Sequence, residues 1–466
     1  MATSTRPVIE QRAIDHIPHE ERHGTVRSLF TLWFSANMQI TTVVTGALAI
    51  VFGLDLFWGL IALLIGNLLG GIFMAYHSAQ GPKLGIPQMI QSRAQFGFYG
   101  AILPLVLVIV MYLGYFASSA VLGGEAISGS TSISTTGGIL IMAVVCTILA
   151  IVGYDLIHRY ESLVSLVFAV GFLYLTIRIV TQHDVGALLG PGSFSLAPFL
   201  LVISLAATWQ ITYAPYVADY SRYLPYETTV ASTFWYTYLG SVIGTFWMMG
   251  LGALIADVAS KSFDANSSAY VANQAGSALS GVFYLIIVLG VIAANVLNLY
   301  GFFMSITTTL TALVPIPFRQ NARIILILIA AIIGSALAIA GQGNFLTNYS
   351  NFLLVLLYFL VPWTAINLVD FYLIRHGNYD LDSIYTPRGI YGPVNWRALL
   401  AYIVAVAVEV PFINQSLYEG PLAKAFGGAD IAWILGLIVA GGLYYLLMRD
   451  RVSATAPQDI SAVPTR

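Results

Sequence analysis

Charge is what this 466-residue chain has least of: Asp, Glu, Lys and Arg together make up 9% of it. A soluble domain carries about 25% charged residues, so no water-facing surface can be built from this stock. The net charge of −2 at pH 7 leaves no basic face for nucleic acid. Cysteine is nearly absent. The single residue, Cys146, excludes an intrachain disulfide framework and any cysteine-built zinc site. The first 27 residues contain no apolar core of a signal peptide. They hold Arg6, Arg12, Arg22 and Arg27 among acidic residues and prolines, and read as a cytoplasmic tail. Enzyme signatures are missing too: there is no His-Glu-x-x-His helix and no Gly-x-Ser-x-Gly turn. The 7 histidines fall in tails, loops or at the ends of apolar stretches, so neither an enzyme nor a metal or cofactor site is expected.

What the chain has in quantity is apolar and aromatic mass. It is 58% hydrophobic, with 25 Phe, 27 Tyr and 8 Trp, and its mean hydropathy is +0.83. Disorder is thereby excluded, and the expected fold class is an all-α, polytopic membrane protein with 12 transmembrane helices. A crossing needs about 20 mostly apolar residues. Twelve stretches qualify: 28–53, 56–79, 100–123, 138–157, 162–182, 197–219, 230–257, 278–310, 322–340, 350–374, 397–418 and 429–448. Basic residues mark the cytoplasmic side. With the N-terminus inside, only Arg178, Lys261 and Lys424 of the 19 Lys and Arg residues fall outside. Both tails, 1–27 and 449–466, are then cytoplasmic, and the expected location is the cell membrane. Nothing in the sequence calls for an obligate protein partner beyond the lipid bilayer.

Polar side chains in hydrocarbon mark the protein interior, because lipid cannot satisfy them. The first stretch carries Ser35, Asn37 and Gln39 near mid-span, followed by Gly46. They predict an unwound helix that lines a site; plain interhelical hydrogen bonding is the alternative. The sixth carries Trp209, Gln210 and Pro215. Proline removes a helical hydrogen bond and clashes with the preceding turn, and broken backbone at membrane depth survives only where it is buried or lines a cavity. Trp209 offers a flat face, and Gln210 a donor with an acceptor, so together they suit a planar polar ligand. Asn295 and Asn298 in the eighth stretch share a helix face, as do Tyr112 and Tyr115 in the third. Interhelical bridging and ordinary packing are the plainer readings of these two pairs. The sixth stretch follows the first by five, and matching interruptions of that kind point to an inverted-repeat transporter with a midplane site.

Three segments carry a family likeness. They are the tail Ile14–Gly24, the loop Leu84-Gly85-Ile86-Pro87-Gln88-Met89 running on to Ser92-Arg93 and Phe96-Gly97, and the run Tyr213-Ala214-Pro215-Tyr216-Val217-Ala218-Asp219-Tyr220-Ser221-Arg222-Tyr223-Leu224-Pro225. Together they resemble the nucleobase:cation symporter-1 family, of the purine–cytosine permease type, over about residues 10–450. The resemblance implies a LeuT-like fold. Residues 28–182 and 197–374 would be two inverted repeats of five helices, and 397–448 two extra helices. It also implies import of a nucleobase, such as cytosine or a purine, by cation symport. In the family the base lies between an aromatic of the third helix and the sixth helix, with its edge read from the first and eighth. Here that implies Tyr112, Tyr115, Trp209, Gln210, Ser35, Asn37, Asn295 and Asn298 as substrate-binding residues.

One departure bears on the coupling ion. Sodium-coupled relatives place hydroxyl residues on the eighth helix, where this chain has Ala293-Ala294. Sodium needs oxygen ligands, which alanine side chains do not supply. A proton is therefore the expected coupling ion, with Na+ as the alternative. The candidate coupling or gating groups are Asp219, with Arg222 as its partner in a cytoplasmic gate, Glu409 and, less favoured, Asp370. Asp219 has a plainer alternative, a charge pair with Arg222 at a helix end. The competing function is a sodium-coupled carrier of another planar heterocycle, of allantoin, hydantoin, uracil or vitamin-precursor type. An amino-acid carrier would want charge partners for a zwitterion, and a channel would show filter-like repeats; neither pattern is present.

Overall fold

The computed structural model describes residues 15–152, 154–258, 260–314 and 320–450. Arg6, Arg12, Arg319, Arg451 and Arg466, which contribute to the expected orientation, lie outside the described residues. Hydrocarbon offers a peptide group no partner, so the chain satisfies its own backbone as helix almost throughout.

Helices α1 (Arg27–Ser35) and α2 (Ile40–Val51) form a first crossing bent by 65°. Asp55 caps the next helix, α3 (Leu56–Ser78), by accepting from the Trp58 amide at 2.8 Å. Two short helices, α4 (Gly81–Leu84) and α5 (Gln88–Phe96), fill the following connection. Then come α6 (Ile102–Ser130), α7 (Thr135–Val152), α8 (Tyr154–Gln182) and the single turn α9 (Val185–Leu188). The second broken crossing is α10 (Leu196–Ile211) with α11 (Val217–Ser221). It is followed by α12 (Val230–Val258), the short α13 (Ser260–Ala265) and α14 (Ser267–Asn273), then α15 (Ser280–Leu313) and α16 (Gln320–Gly341). Helix α17 (Phe345–Leu368) runs into a π-helical turn, Val369–Ile374. The chain ends with α18 (Leu381–Ile384), α19 (Trp396–Glu409), α20 (Pro421–Ala425) and α21 (Ala432–Met448).

Each of the twelve predicted stretches holds helix. The eleventh is shorter than expected. Its helix stops at Glu409, because Pro411 turns the chain through Val410–Phe412 into a two-stranded hairpin, β1 (Asn414–Gln415) and β2 (Tyr418–Glu419).

The broadest contacts fall into three sets: one joins α1, α2, α3, α10 and α12, a second joins α6, α7, α15 and α16, and a third joins α17, α19 and α21. Small residues let the first set pack backbone to backbone. A Cβ on Gly46 of α2 would fall 1.9 Å from the Met249 carbonyl oxygen, and one on Gly252 of α12 would fall 1.8 Å from that of Val43. Helices α3 and α10 meet in the same way, at Gly66 and Gly70. Helix α17 lies across α6, α10, α19 and α21.

Candidate substrate site

The first break places a polar side chain where helix dipoles and free backbone meet. Between α1 and α2, Gln39 is extended (φ −146°, ψ 157°), and Asn37 is completely buried. The Asn37 amide donates to Trp33 O at 2.7 Å and, at 3.5 Å, to Ser241 O of α12. Its carbonyl oxygen accepts from Trp209 Nε1 at 2.7 Å and from the Tyr213 hydroxyl at 3.0 Å. Gln39 turns back on its own turn, donating to Ala36 O at 3.1 Å. Ser35, half-buried, donates to Leu32 O at 3.1 Å.

The second break is made by Pro215, which has no amide hydrogen to continue α10. Regular α-helix stops at Ile211 and resumes at Val217. Trp209 and Gln210 occupy the last turn before the break. Their side chains leave it in different directions, since neighbours on a helix do not share a face. Trp209 reaches the first break. Gln210 instead enters the contact between α3 and α12. Its amide donates to Asn67 Oδ1 at 2.9 Å and to Thr245 Oγ1 at 3.1 Å, and its oxygen accepts from Ser241 Oγ at 2.6 Å. Gln210, expected to read a ligand's edge, thus has its amide committed to protein partners in this conformation.

Across from the breaks stands the α6–α15 pair. Tyr115 of α6 meets Trp209 edge to face, with ring centroids 6.1 Å apart and an interplanar angle of 89°, and meets Phe352 of α17 at 5.2 Å. Thr212 Oγ1 donates to Trp209 O, so the Tyr115 hydroxyl is the donor in its 2.8 Å bond to Thr212. Tyr112 lies 5.9 Å from the Tyr216 ring and fits over Gly301 of α15, where a Cβ would fall 2.3 Å from the Tyr112 ring. On α15, the buried Asn295 donates to Phe116 O at 3.1 Å, and the half-buried Asn298 donates to Asn295 Oδ1 at 3.2 Å. None of these side chains is ionised. The arrangement offers flat faces, hydroxyls and carboxamides, which suit a neutral ring with a polar edge.

The sequence reading missed several participants. Thr212 and Tyr213 lie in the sixth stretch between Gln210 and Pro215, but only the contacts show that they hold Tyr115 and Asn37. Asn67 was findable as the one carboxamide in α3, set in its apolar middle, and Ser241 and Thr245 as hydroxyls one turn apart on α12. Phe352 gave no signal, being one aromatic among many.

The sequence profile of the family described as "Permease for cytosine/purines, uracil, thiamine, allantoin" matches residues 16–436. The chain belongs to this family. Among curated relatives it is 48% identical to "Putative purine-cytosine permease YxlA" of Bacillus subtilis, over 96% of this chain and 98% of that one. It is 26% identical to the purine-cytosine permease fcyB of Emericella nidulans, over 94% and 88% of the two chains. Among solved structures, the inward-facing conformation of Mhp1 superposes with a TM-score of 0.77 at 19% identity, covering 96% of this chain and 94% of that one. Mhp1 closed on bromovinylhydantoin, a nucleobase-cation-symport-1 family transporter, gives 0.74 at 20% identity, with 95% of each chain covered. The permease is therefore a multi-pass membrane transporter of the nucleobase:cation symporter family, with the LeuT-like fold.

In this permease the groups expected to couple or gate are spread over three places: Asp219 and Arg222 just past the second break, Asp370 in the π turn and Glu409 at the end of α19. Asp219 of α11 accepts from the backbone amide of Gln88 at 2.7 Å, capping the start of α5. Arg222, almost wholly buried, donates through Nε to Asp219 O and through Nη1 to Asp15 O. A strap before α1 completes this end. Ile17 N donates to Gly85 O and His23 N to Tyr223 O, while Arg22 reaches Ile17 O and Pro82 O. Gly85 is required there: its φ is +62°, and a Cβ would fall 2.1 Å from Arg22 Nη2. Arg93, on α5, has its pKa pulled down to about 10 by burial, so it keeps its charge at neutral pH. Asp370, in the π turn, is held by Arg375 at 3.1 Å and by Gln95, Tyr379 and Tyr444. Glu409 is completely buried against Gly436 of α21, and neither carboxyl oxygen has a hydrogen-bond partner among the described residues.

Proposed function

We propose that this permease imports a nucleobase, cytosine or a purine, by proton symport through alternating access. The observation that carries the proposal is the meeting of Tyr115 and Trp209 beside two broken helices, with the Asn295–Asn298 pair tied to the same helix α6 through Phe116 O and no charge among them. The ring stacks on Trp209 and is flanked by Tyr115, with Tyr112 and Ser35 at its margins, and Asn298 with Asn295 reads its edge. Asn37 and Gln210 belong to the same site from behind, since their amides are occupied by protein. The Bacillus subtilis relative, nearly half identical along the whole chain, supports the purine–cytosine choice.

Proton coupling is supported by Ala293-Ala294, which bring no side-chain oxygen to the eighth crossing. Glu409 is the group best placed to carry the proton, being a carboxyl in hydrocarbon with no cation beside it among its described partners. Asp219 and Arg222 serve the cytoplasmic gate. The moving part is a four-helix core drawn from both repeats, 28–182 and 197–374, which rocks against the remaining scaffold, with 397–448 attached and both tails in the cytoplasm. Clustering of Arg22, Lys83, Arg93 and Arg222 at one end of the molecule supports this orientation.

A second reading, a carrier for another heterocycle, is favoured by the 25% identity to a vitamin B6 transporter of Saccharomyces cerevisiae. Uptake of a radiolabelled panel into proteoliposomes, under separately imposed pH and sodium gradients, decides between the readings. The proposal expects saturable cytosine or purine uptake driven by the pH gradient alone. Strict sodium dependence would overturn the proton assignment, and uptake of pyridoxine but of no base would overturn the substrate.

A further inference from the structure

A stacking surface discriminates among flat ligands only if it cannot rotate to suit each of them. Tryptophan has one polar handle, the indole N–H, and a ring held there loses its freedom to turn about the side-chain bonds. In this permease the handle is held by Asn37, 172 residues away in sequence.

We propose that Asn37 is a positioning residue that fixes the plane of Trp209 and so sets the ligand selectivity of the site. The inference rests on the reading above that the ligand stacks on Trp209. Asn37 has two donor hydrogens and two acceptor positions, and the structure fills all four: Trp33 O and Ser241 O on one side, Trp209 Nε1 and the Tyr213 hydroxyl on the other. It is completely buried. A ligand could bond to it only by displacing one of these partners and leaving a buried group unpaired, at a cost of about 1–3 kcal/mol. Asn37 therefore acts through Trp209 and Tyr213, not on the ligand.

Two further contacts complete the clamp. Tyr213 and Tyr115 both stand edge-on to the indole, at 88° and 89°, so the ring is flanked as well as tethered. Next along the helix, Gln210 is tied to α3 through Asn67 and to α12 through Ser241 and Thr245. That fixes how the last turn of α10 is rotated, while Asn37 fixes the side chain it carries. Ser241 serves both, giving its hydroxyl to Gln210 and its carbonyl to Asn37. The break after α1 is what makes this geometry available. Asn37 sits where α1 has ended and α2 has not begun, so its short side chain crosses directly to α10. Preorganisation of this kind saves the cost of ordering the site when the ligand arrives.

The test is a double-mutant cycle on equilibrium binding of radiolabelled cytosine and adenine to the purified full-length permease. Its corners are wild type, Asn37→Ala, Trp209→Phe and the double variant. Trp209→Phe keeps a stacking ring but removes the N–H, breaking the same bond from the other side. Each single change is expected to weaken binding about tenfold. The double variant should be no weaker than the worse single one, and the cytosine-to-adenine preference should shrink in all three. The indole contribution to fluorescence, taken as the difference with and without the Trp209→Phe change, should shift when Asn37 is altered. A loss near a hundredfold in the double variant would show that Asn37 acts independently of Trp209 and overturn the inference; so would an Asn37→Ala protein with unchanged selectivity. Unchanged binding by Trp209→Phe together with Trp209→Ala would sink the stacking reading itself, a distinguishable result. If Asn37→Ala does not fold, Asn37→Ser takes its place in the cycle with the same expectations.

Discussion

Two interfaces of this molecule are built from different chemistry. Inside the group formed by α1, α2, α3, α10 and α12, backbones touch at Gly46 and Gly252, and a buried hydrogen-bond network runs from Asn37 through Ser241 and Gln210 to Asn67, with Trp209 held on Asn37. Where that group faces α6 and α15, aromatic rings meet, edge-on at Tyr115–Trp209 and tilted at Tyr112–Tyr216, and among the described residues a hydroxyl bond joins Tyr115 to Thr212. Backbone contacts and saturated amides have one good arrangement, because any shift leaves polar groups unpaired in a dry interior. Rings and hydroxyls tolerate sliding, and a ligand can replace what they lose. The first interface is suited to a body that moves as one, the second to a surface across which it moves.

Substitutions that separate the two interfaces sharpen this contrast. The largest effect is expected at Gly252→Leu, which pushes a side chain into the Val43 carbonyl. Overpacking there should cost about 3 kcal/mol or more, read as loss of a monodisperse peak in detergent and a collapsed thermal transition. Intact, active protein would contradict the rigid-body description. Next come Trp209→Ala and Asn298→Ala on the ligand side of the sliding surface. Both variants should still express, yet uptake should fall about thirtyfold, since buried hydrogen-bonding and stacking groups contribute about 2 kcal/mol each. Tyr115→Phe keeps the ring and loses only the bond to Thr212. It should weaken apparent affinity about fivefold, in keeping with a neutral hydrogen bond; a null transporter would mean that the hydroxyl does more than brace the helix break. The smallest effect is expected at Asp219→Ala, which removes a helix cap worth about 1 kcal/mol. Hydrogen exchange at the first amides of α5 should speed up about fivefold while ligand affinity holds.

Much of the fold was legible because hydrocarbon forces the chain to advertise its crossings. Polar residues at Asn37 and the proline at 215 marked both breaks, and the run around Asp219 marked the family. Directions of side chains were not legible. Trp209 and Gln210 are adjacent and both polar-tipped, yet one faces the first break and the other is buried between α3 and α12, a matter of roughly 100° of helical rotation. Asp219 reads from sequence only as a candidate partner for Arg222; that its carboxylate also caps α5 was not legible, because the hydropathy pattern does not reveal a helix lying between crossings. Glu409 was recognisable as a mid-stretch carboxyl, whereas its close fit against Gly436 depends on α21 packing, which no local pattern encodes.

The account depends most on a base lying beside Trp209 where the first and sixth crossings break. The direct measurement is an electron cryomicroscopy structure of the permease with the base selected by the uptake panel. The account predicts planar density on the Trp209 face, flanked by Tyr115, with its polar edge at Asn298 and the Asn37–Trp209 bond intact. Density bound elsewhere, with that indole face left unoccupied, would contradict it.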